Sequence, residues 1–273
     1  MSEEPKHDQV RSRNEPFTQK TATRIWSEQP SEDNPYIAAK TFCHGYDLIE
    51  LMEKRSFIDV FYLLFRGELP TKSEAQLLQN LMIALINPGP RHAATRAAMN
   101  VGVGKTDPLH ILPIASAVLG GAHLGGGEIE SAMRFLRKRH HEDPALVANE
   151  MINTQQEQEQ EHENNYAGFG KQYGGVDLMT NTIAQQLLTM RAAGDALRWG
   201  HQFAAALEPH GVGWLTTGVA AAVFADLGFH PRAGGCLFQL FGAPGLVAHG
   251  LELANKPITA MPFVSDENYV IEQ

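Results

Sequence analysis

Between Leu119 and Leu136 the chain reads LGGAHLGGGEIESAMRFL, a single histidine among glycines 120, 121, 125, 126 and 127. Glycine lacks the β-carbon that keeps a ligand off the backbone, and it tolerates the positive φ of tight turns. Ile129, Ala132, Met133 and Leu136 then recur at helical spacing, so loop becomes helix near Gly127 or Glu128. His123 therefore stands just ahead of a helix N-terminus, where free N–H groups and the macrodipole favour an anionic ligand atom. The alternative reading is a loop histidine satisfied by its neighbours. Glu128 is a carboxylate at the same place, and it too has a purely structural alternative, stabilising the helix start.

Other chemistry-bearing stretches carry less. Gly102-Val103-Gly104-Lys105-Thr106 has the ending of a phosphate-binding loop, but Met99 stands where that loop needs its first glycine. His140 and His141 follow Arg137, Lys138 and Arg139 at a helix end, where positive charge complements the dipole. No Gly-x-Ser-x-Gly occurs, so a nucleophile-elbow hydrolase has no support. Cys43 and Cys236 lack any Cys/His ligand spacing, and they read as buried reduced thiols with no metal site.

The elements that must position these groups read as helices. Ser56 with Asp59 is a capping signal ahead of one apolar run, Thr71 is a cap ahead of the next, and Gly67 is a stop between them. Helices are predicted over His92–Val101, Pro108–Leu119 and the segment ending near Lys138. Asp143-Pro144 opens another through Ile152. Beyond a Gln/Glu tract at 155–165 comes the glycine loop Tyr166–Lys171, then helices over Met179–Ala193, Asp195–Leu207, Trp214–Ala225 and Leu237–Leu253. Asp177 is positioned to cap the helix near Met179. No run of alternating strands is visible, so an all-α protein is expected.

With 273 residues and 43% hydrophobic content the chain can bury a large core. A formal charge of −9 argues against a general nucleic-acid or anionic-membrane surface. Residues 1–34 are polar and read as a mobile arm, with order beginning near Pro35. Neither an apolar signal core nor about 18 continuous apolar residues is present, so a soluble cytoplasmic protein is expected, with no membrane partner.

Four segments in order resemble the citrate synthase superfamily, which includes the citryl-CoA lyase module of ATP-citrate lyase. They are GYDLIELMEKRSFIDVFYLLFRGELPT (Gly45–Thr71), HLGGGE with Ala132-Met133, GFGK (Gly168–Lys171) with Tyr173, and GLVAHGLE (Gly245–Glu252). The resemblance implies a citrate synthase-like fold, with a large helical domain over 35–128 and 236–273 and a smaller one over 129–235. It also implies a homodimer, or a hetero-oligomer with a related chain. The implied chemistry is Claisen condensation on an acyl-CoA, or its reverse.

In that resemblance His123 matches the histidine that stabilises the enolate oxygen. Gly168, Phe169 and Gly170 match a loop that presents backbone groups to coenzyme A, and Arg96, His110 and Arg232 are candidates for its phosphates. Other positions depart. Lys171 stands where the family has its second histidine, and Gly213 where it has its aspartate. Pro88 and Gly242 stand where groups bind the keto acid. Lys171 can still donate a proton or, if desolvated, accept one. Asp177 could replace the lost base, and Glu128 is another spare carboxylate.

Two functions follow. One is a citryl-CoA-lyase-like or related lyase or acyltransferase on a CoA thioester, with His123, Lys171 and Asp177 in its altered site. The other is a non-catalytic homologue that senses coenzyme A, regulates or scaffolds. Ordinary citrate synthesis is not expected, since a positioned general base is worth ~10²–10⁴ in rate.

Overall fold

The computed structural model describes residues 22–157, 166–262 and 264–269. The chain divides after Glu68 into two units. Helices dominate, as expected, but the first unit begins with a small sheet.

In that unit β1 (Trp26–Pro30) pairs antiparallel with β2 (Ala38–Cys43), which pairs with β3 (Tyr46–Asp47). His44 and Gly45, at φ 48° and 85°, make the two-residue turn that joins Cys43 to Tyr46. Positive φ at both central positions is the hairpin turn whose twist matches that of the strands. Order thus starts before Pro35, and Trp26–Pro30 belongs to a strand where composition suggests an arm. All five of its residues are exposed, so no apolar alternation marks it. Residues 1–21 of the expected arm lie outside the described residues. Asp47 then caps α1 (Leu48–Lys54), and Ser56 and Asp59 form the expected capping box of α2 (Phe57–Arg66), which ends on left-handed Gly67.

The second unit contains α3 (Lys72–Leu85), α4 (Ala93–Val103), α5 (Ile111–Leu119), α6 (Ile129–Arg139) and α7 (Pro144–Glu157). After the tract at 158–165, outside the described residues, come β4 (Phe169–Gly170), α8 (Leu178–Leu188), α9 (Asp195–Leu207), β5 (Gly213–Trp214), α10 (Thr216–Asp226) and α11 (Pro231–Ala254). Helix α11 packs against α4, α5 and α6, and α10 against α6 and α9. By length and composition α11 could cross a bilayer, yet its Leu237, Phe238, Phe241, Leu246 and Leu253 are core residues. Its crossing with α4 is close because both contacts are glycine: a Cβ on Gly102 would lie 2.0 Å from the Gly250 carbonyl oxygen.

Helix α11 starts six residues before the expected Leu237 and contains Pro244. A proline inside a helix removes one rung of its ladder and crowds the preceding turn. Beside this interruption the Gly245 N–H donates to the Ile86 carbonyl at 2.9 Å, so the turn after α3 plugs directly into α11. The thiols differ from expectation in one respect: Cys43 is buried but Cys236 is exposed.

Candidate functional site

The best-formed cavity of the second unit has a volume of about 270 Å³. Helix α3 contributes Ala84 and Leu85, the following turn Asn87, Pro88 and His92, and α5 with its exit Leu119 and Leu124. The rest of the lining is Gln172, Asp177, Met179, Thr180 and Ile183, with Thr216 and Thr217 of α10 and Phe238 and Gly242 of α11. These wall residues include one carboxylate and no lysine or arginine.

Asp177 is fixed by its local sequence. As N-cap of α8 it accepts the Met179 and Thr180 N–H groups on Oδ1, at 3.0 and 3.1 Å. The buried Thr180 hydroxyl donates to Oδ2 at 2.7 Å and lies 3.1 Å from the Thr216 hydroxyl. Since the Thr180 proton is committed to Asp177, Thr216 is the donor of that second bond. The result is a chain from Thr216 through Thr180 to a carboxylate in the cavity wall. No side chain caps α10, so its positive end opens on the same space.

His92 ties the opposite wall together. Its Nδ1 accepts the Ala94 N–H, so the ring proton is on Nε2, which donates to the Leu124 carbonyl at 3.0 Å. Leu124 sits at φ 53°, a left-handed conformation that a branched side chain rarely adopts, and His92 helps hold it there.

The glycine segment around His123 is used differently. His123 itself is exposed and lies outside the cavity wall. A Cβ on Gly125 would meet the Leu119 and Gly121 carbonyl oxygens at 2.4 and 2.5 Å, and one on Gly126 would meet the Gly235 oxygen of α11 at 2.9 Å. These glycines allow backbone to pack on backbone. Glu128, behind them, accepts the buried Thr217 hydroxyl at 2.8 Å. Burial pushes its carboxyl above the usual range, while the Thr217 bond and the nearby His123 pull it back.

The other expected site residues separate. Phe169 is buried and stacked on Trp214, with ring centroids 4.4 Å apart. Gly168, at φ 84°, packs on Gly218, and its carbonyl accepts the Leu215 N–H. Gly170 is paired with Gly213. Lys171 lies along Gly211, its Cε 3.6 Å from a Cβ built there, and does not line the cavity. At Gly213 there is no room for an acid: a Cβ would come 2.6 Å from Val176 Cγ1. Pro88 and Gly242 do converge, since a Cβ on Gly242 would lie 3.4 Å from Pro88 Cγ and 2.8 Å from Leu119 Cδ2. Thus Asp177 reaches the cavity, whereas His123 and Lys171 do not line it.

A second, wider cleft of about 560 Å³ runs over Pro90, Arg91, Arg96, Met99, Asn100, Tyr173, Met261 and Pro262. Arg91 and Arg96 are exposed and, among the described residues, in no ion pair. Arg96 was a sequence candidate for phosphates; His110 and Arg232 do not line this cleft. Arg91, Thr180, Thr216 and Thr217 went unnoticed as site residues. The available signal was the threonine pair at the mouth of α10 and the Arg91–Arg96 spacing across the start of α4. Among the described residues no cluster of three His, Cys, Asp or Glu could hold a metal ion.

Three solved structures share this architecture. Citryl-CoA lyase from Hydrogenobacter thermophilus is 23% identical with TM-score 0.74, over 93% of this chain and 94% of its own. Methanosaeta concilii ATP citrate lyase, in complex with (3S)-citryl-CoA, is 16% identical with TM-score 0.68; the match covers 93% of this chain but only 43% of that one. Citrate synthase from Thermoplasma acidophilum, with carboxymethyl coenzyme A and oxaloacetate, is 21% identical with TM-score 0.60, over 80% and 57% of the two chains. No protein-family model matches the sequence, and no curated protein matches it by sequence. The chain has the citrate synthase-like fold, in which helices dominate.

Proposed function

We propose that this protein acts on a CoA thioester, making or breaking a carbon–carbon bond in the manner of a citryl-CoA lyase, with its site rebuilt around Asp177. The observation that carries the reading is a carboxylate held at both oxygens inside a cavity, next to a cleft with two exposed arginines, in a fold whose solved examples include complexes with citryl-CoA and a CoA analogue. Arg91 and Arg96 supply charge for the diphosphate, and Tyr173 an aromatic face for a base.

Either direction of the reaction shares one step, a proton transfer at the carbon beside the thioester. In condensation Asp177 takes the proton, the C–H electron pair becomes the C=C bond of the enolate, and the C=O π pair moves onto the thioester oxygen. The uncapped end of α10 favours that developing charge. Incubating the protein with acetyl-CoA in deuterated buffer tests the step directly. Deuterium should enter the methyl group, and replacing Arg91 or Arg96 by Ala should weaken CoA binding by about 10–100-fold, the worth of a charge-assisted hydrogen bond. Binding without exchange would instead support the CoA-sensing, non-catalytic reading. That second reading draws on Val176 filling the space beside Gly213 and on Lys171 turning away to Gly211. No binding at all would overturn both.

A further inference from the structure

The cavity and the cleft share a wall. Pro88 and His92 line the first, Pro90, Arg91 and Arg96 the second, all on one short run into α4; Gln172 and Tyr173 repeat the arrangement from the other side. The two spaces differ in charge. The cleft carries two arginines, whereas the cavity has Asp177 as its only charged wall residue, among apolar Leu85, Leu119, Leu124, Ile183 and Phe238 and the uncharged Asn87, Gln172, Thr180, Thr216 and Thr217.

Resting on the proposal that the ligand is a CoA thioester, we propose that the acyl group seated in the cavity is short, uncharged and apolar, and that the site rejects acyl groups ending in a carboxylate. A carboxylate there would meet Asp177 with no lysine or arginine among the wall residues to balance it. His92 cannot serve, because its Nδ1 lone pair and its Nε2 proton are both engaged. The two wall positions that converge, Pro88 and Gly242, have neither charge nor hydrogen-bonding side chains. Size sets the scale: about 270 Å³ is less than twice the ~150 Å³ of a cavity that takes up one benzene, room for a few carbons rather than a long chain.

Butyryl-CoA and succinyl-CoA have four-carbon acyl groups of the same length, ending in a methyl and a carboxylate respectively, so they isolate the charge. Calorimetric titration of the full chain with CoA, acetyl-CoA, butyryl-CoA and succinyl-CoA should show butyryl-CoA tighter than acetyl-CoA by about fourfold per added methylene. Succinyl-CoA should bind no better than CoA. Succinyl-CoA binding as tightly as butyryl-CoA, or butyryl-CoA no tighter than acetyl-CoA, would overturn the inference while CoA binding kept the broader reading intact. Failure of CoA and all three thioesters would overturn both. Ile183→Lys, at a half-buried position in the wall, should reverse the preference towards succinyl-CoA in protein shown by its melting transition to be folded. An unchanged butyryl-to-succinyl ratio in that folded variant would also overturn the acyl assignment.

Discussion

The Asp177 cavity and the His123 glycine segment lie in the same unit and look alike in the sequence, each a polar residue beside a helix start. Their uses differ. At Asp177 the helix cap is also the group exposed to a cavity, so one carboxylate both begins α8 and presents an acceptor with its hydroxyl relay. Around His123 the glycines are occupied by packing, Gly125 under two carbonyls and Gly126 against Gly235, and the histidine faces outwards. Absence of side chains therefore marks close backbone contact here. It does not by itself mark the place where chemistry is done.

Asp177→Asn is the sharpest way to break this contrast. Asparagine caps a helix about as well as aspartate, so α8 should survive while the base is lost. Deuterium exchange into an acyl-CoA should fall by ~10²–10⁴ with little change in urea midpoint. A variant that exchanges normally would return the chemistry to the glycine segment. Gly125→Ala should act in the opposite sense, costing ~1–3 kcal/mol of stability through overpacking against Leu119 and Gly121, read from urea unfolding. A variant as stable as the parent would show that the segment yields, and so is free to move onto a ligand.

The smallest effect is expected at Glu128, between the two regions. Burial holds its folded-state pKa above the ordinary value, so the folded form binds the proton more tightly than the unfolded chain does. Its contribution is fully present below the unfolded pKa and is lost as pH rises through the folded one. Glu128→Gln keeps an acceptor for Thr217 but cannot titrate. It should flatten the decline of stability that starts near pH 4.5, the group's ordinary value, in melts recorded across mildly acid to neutral pH. An unaltered slope would place the titration elsewhere, with the half-buried Asp226, whose carboxyl is also held above its ordinary value by desolvation, the next candidate.

What the sequence shows of this molecule follows locality. Ser56 with Asp59 is legible because the donor and acceptor of its box lie three residues apart, and Thr71 shows as a cap whose box is completed by Glu74 in the structure. The start of α8 is legible for the same reason. β1 is not, because its partner β2 supplies the pairing and none of its five side chains is buried. The site divides in the same way. Asp177 is visible as a cap, but the Thr216 hydroxyl reaches it only through Thr180, on another helix 36 residues away. The filling of Gly213 by Val176 is likewise a fact of tertiary packing, while the glycine itself is plain in the sequence.

The interruption at Pro244 has a mechanical consequence for the cavity. A surface turn ordinarily drifts with its own backbone, but the Ile86 carbonyl is pinned to the Gly245 amide, and a Cβ at Gly245 would strike Ile86 and Asn87 within 2.6 Å. The wall at Asn87 and Pro88 is thereby keyed into the longest core helix like a tenon in a mortise. Its dimensions are inherited from the stiffness of α11, and a change in cavity width on that side would have to be cut into the core.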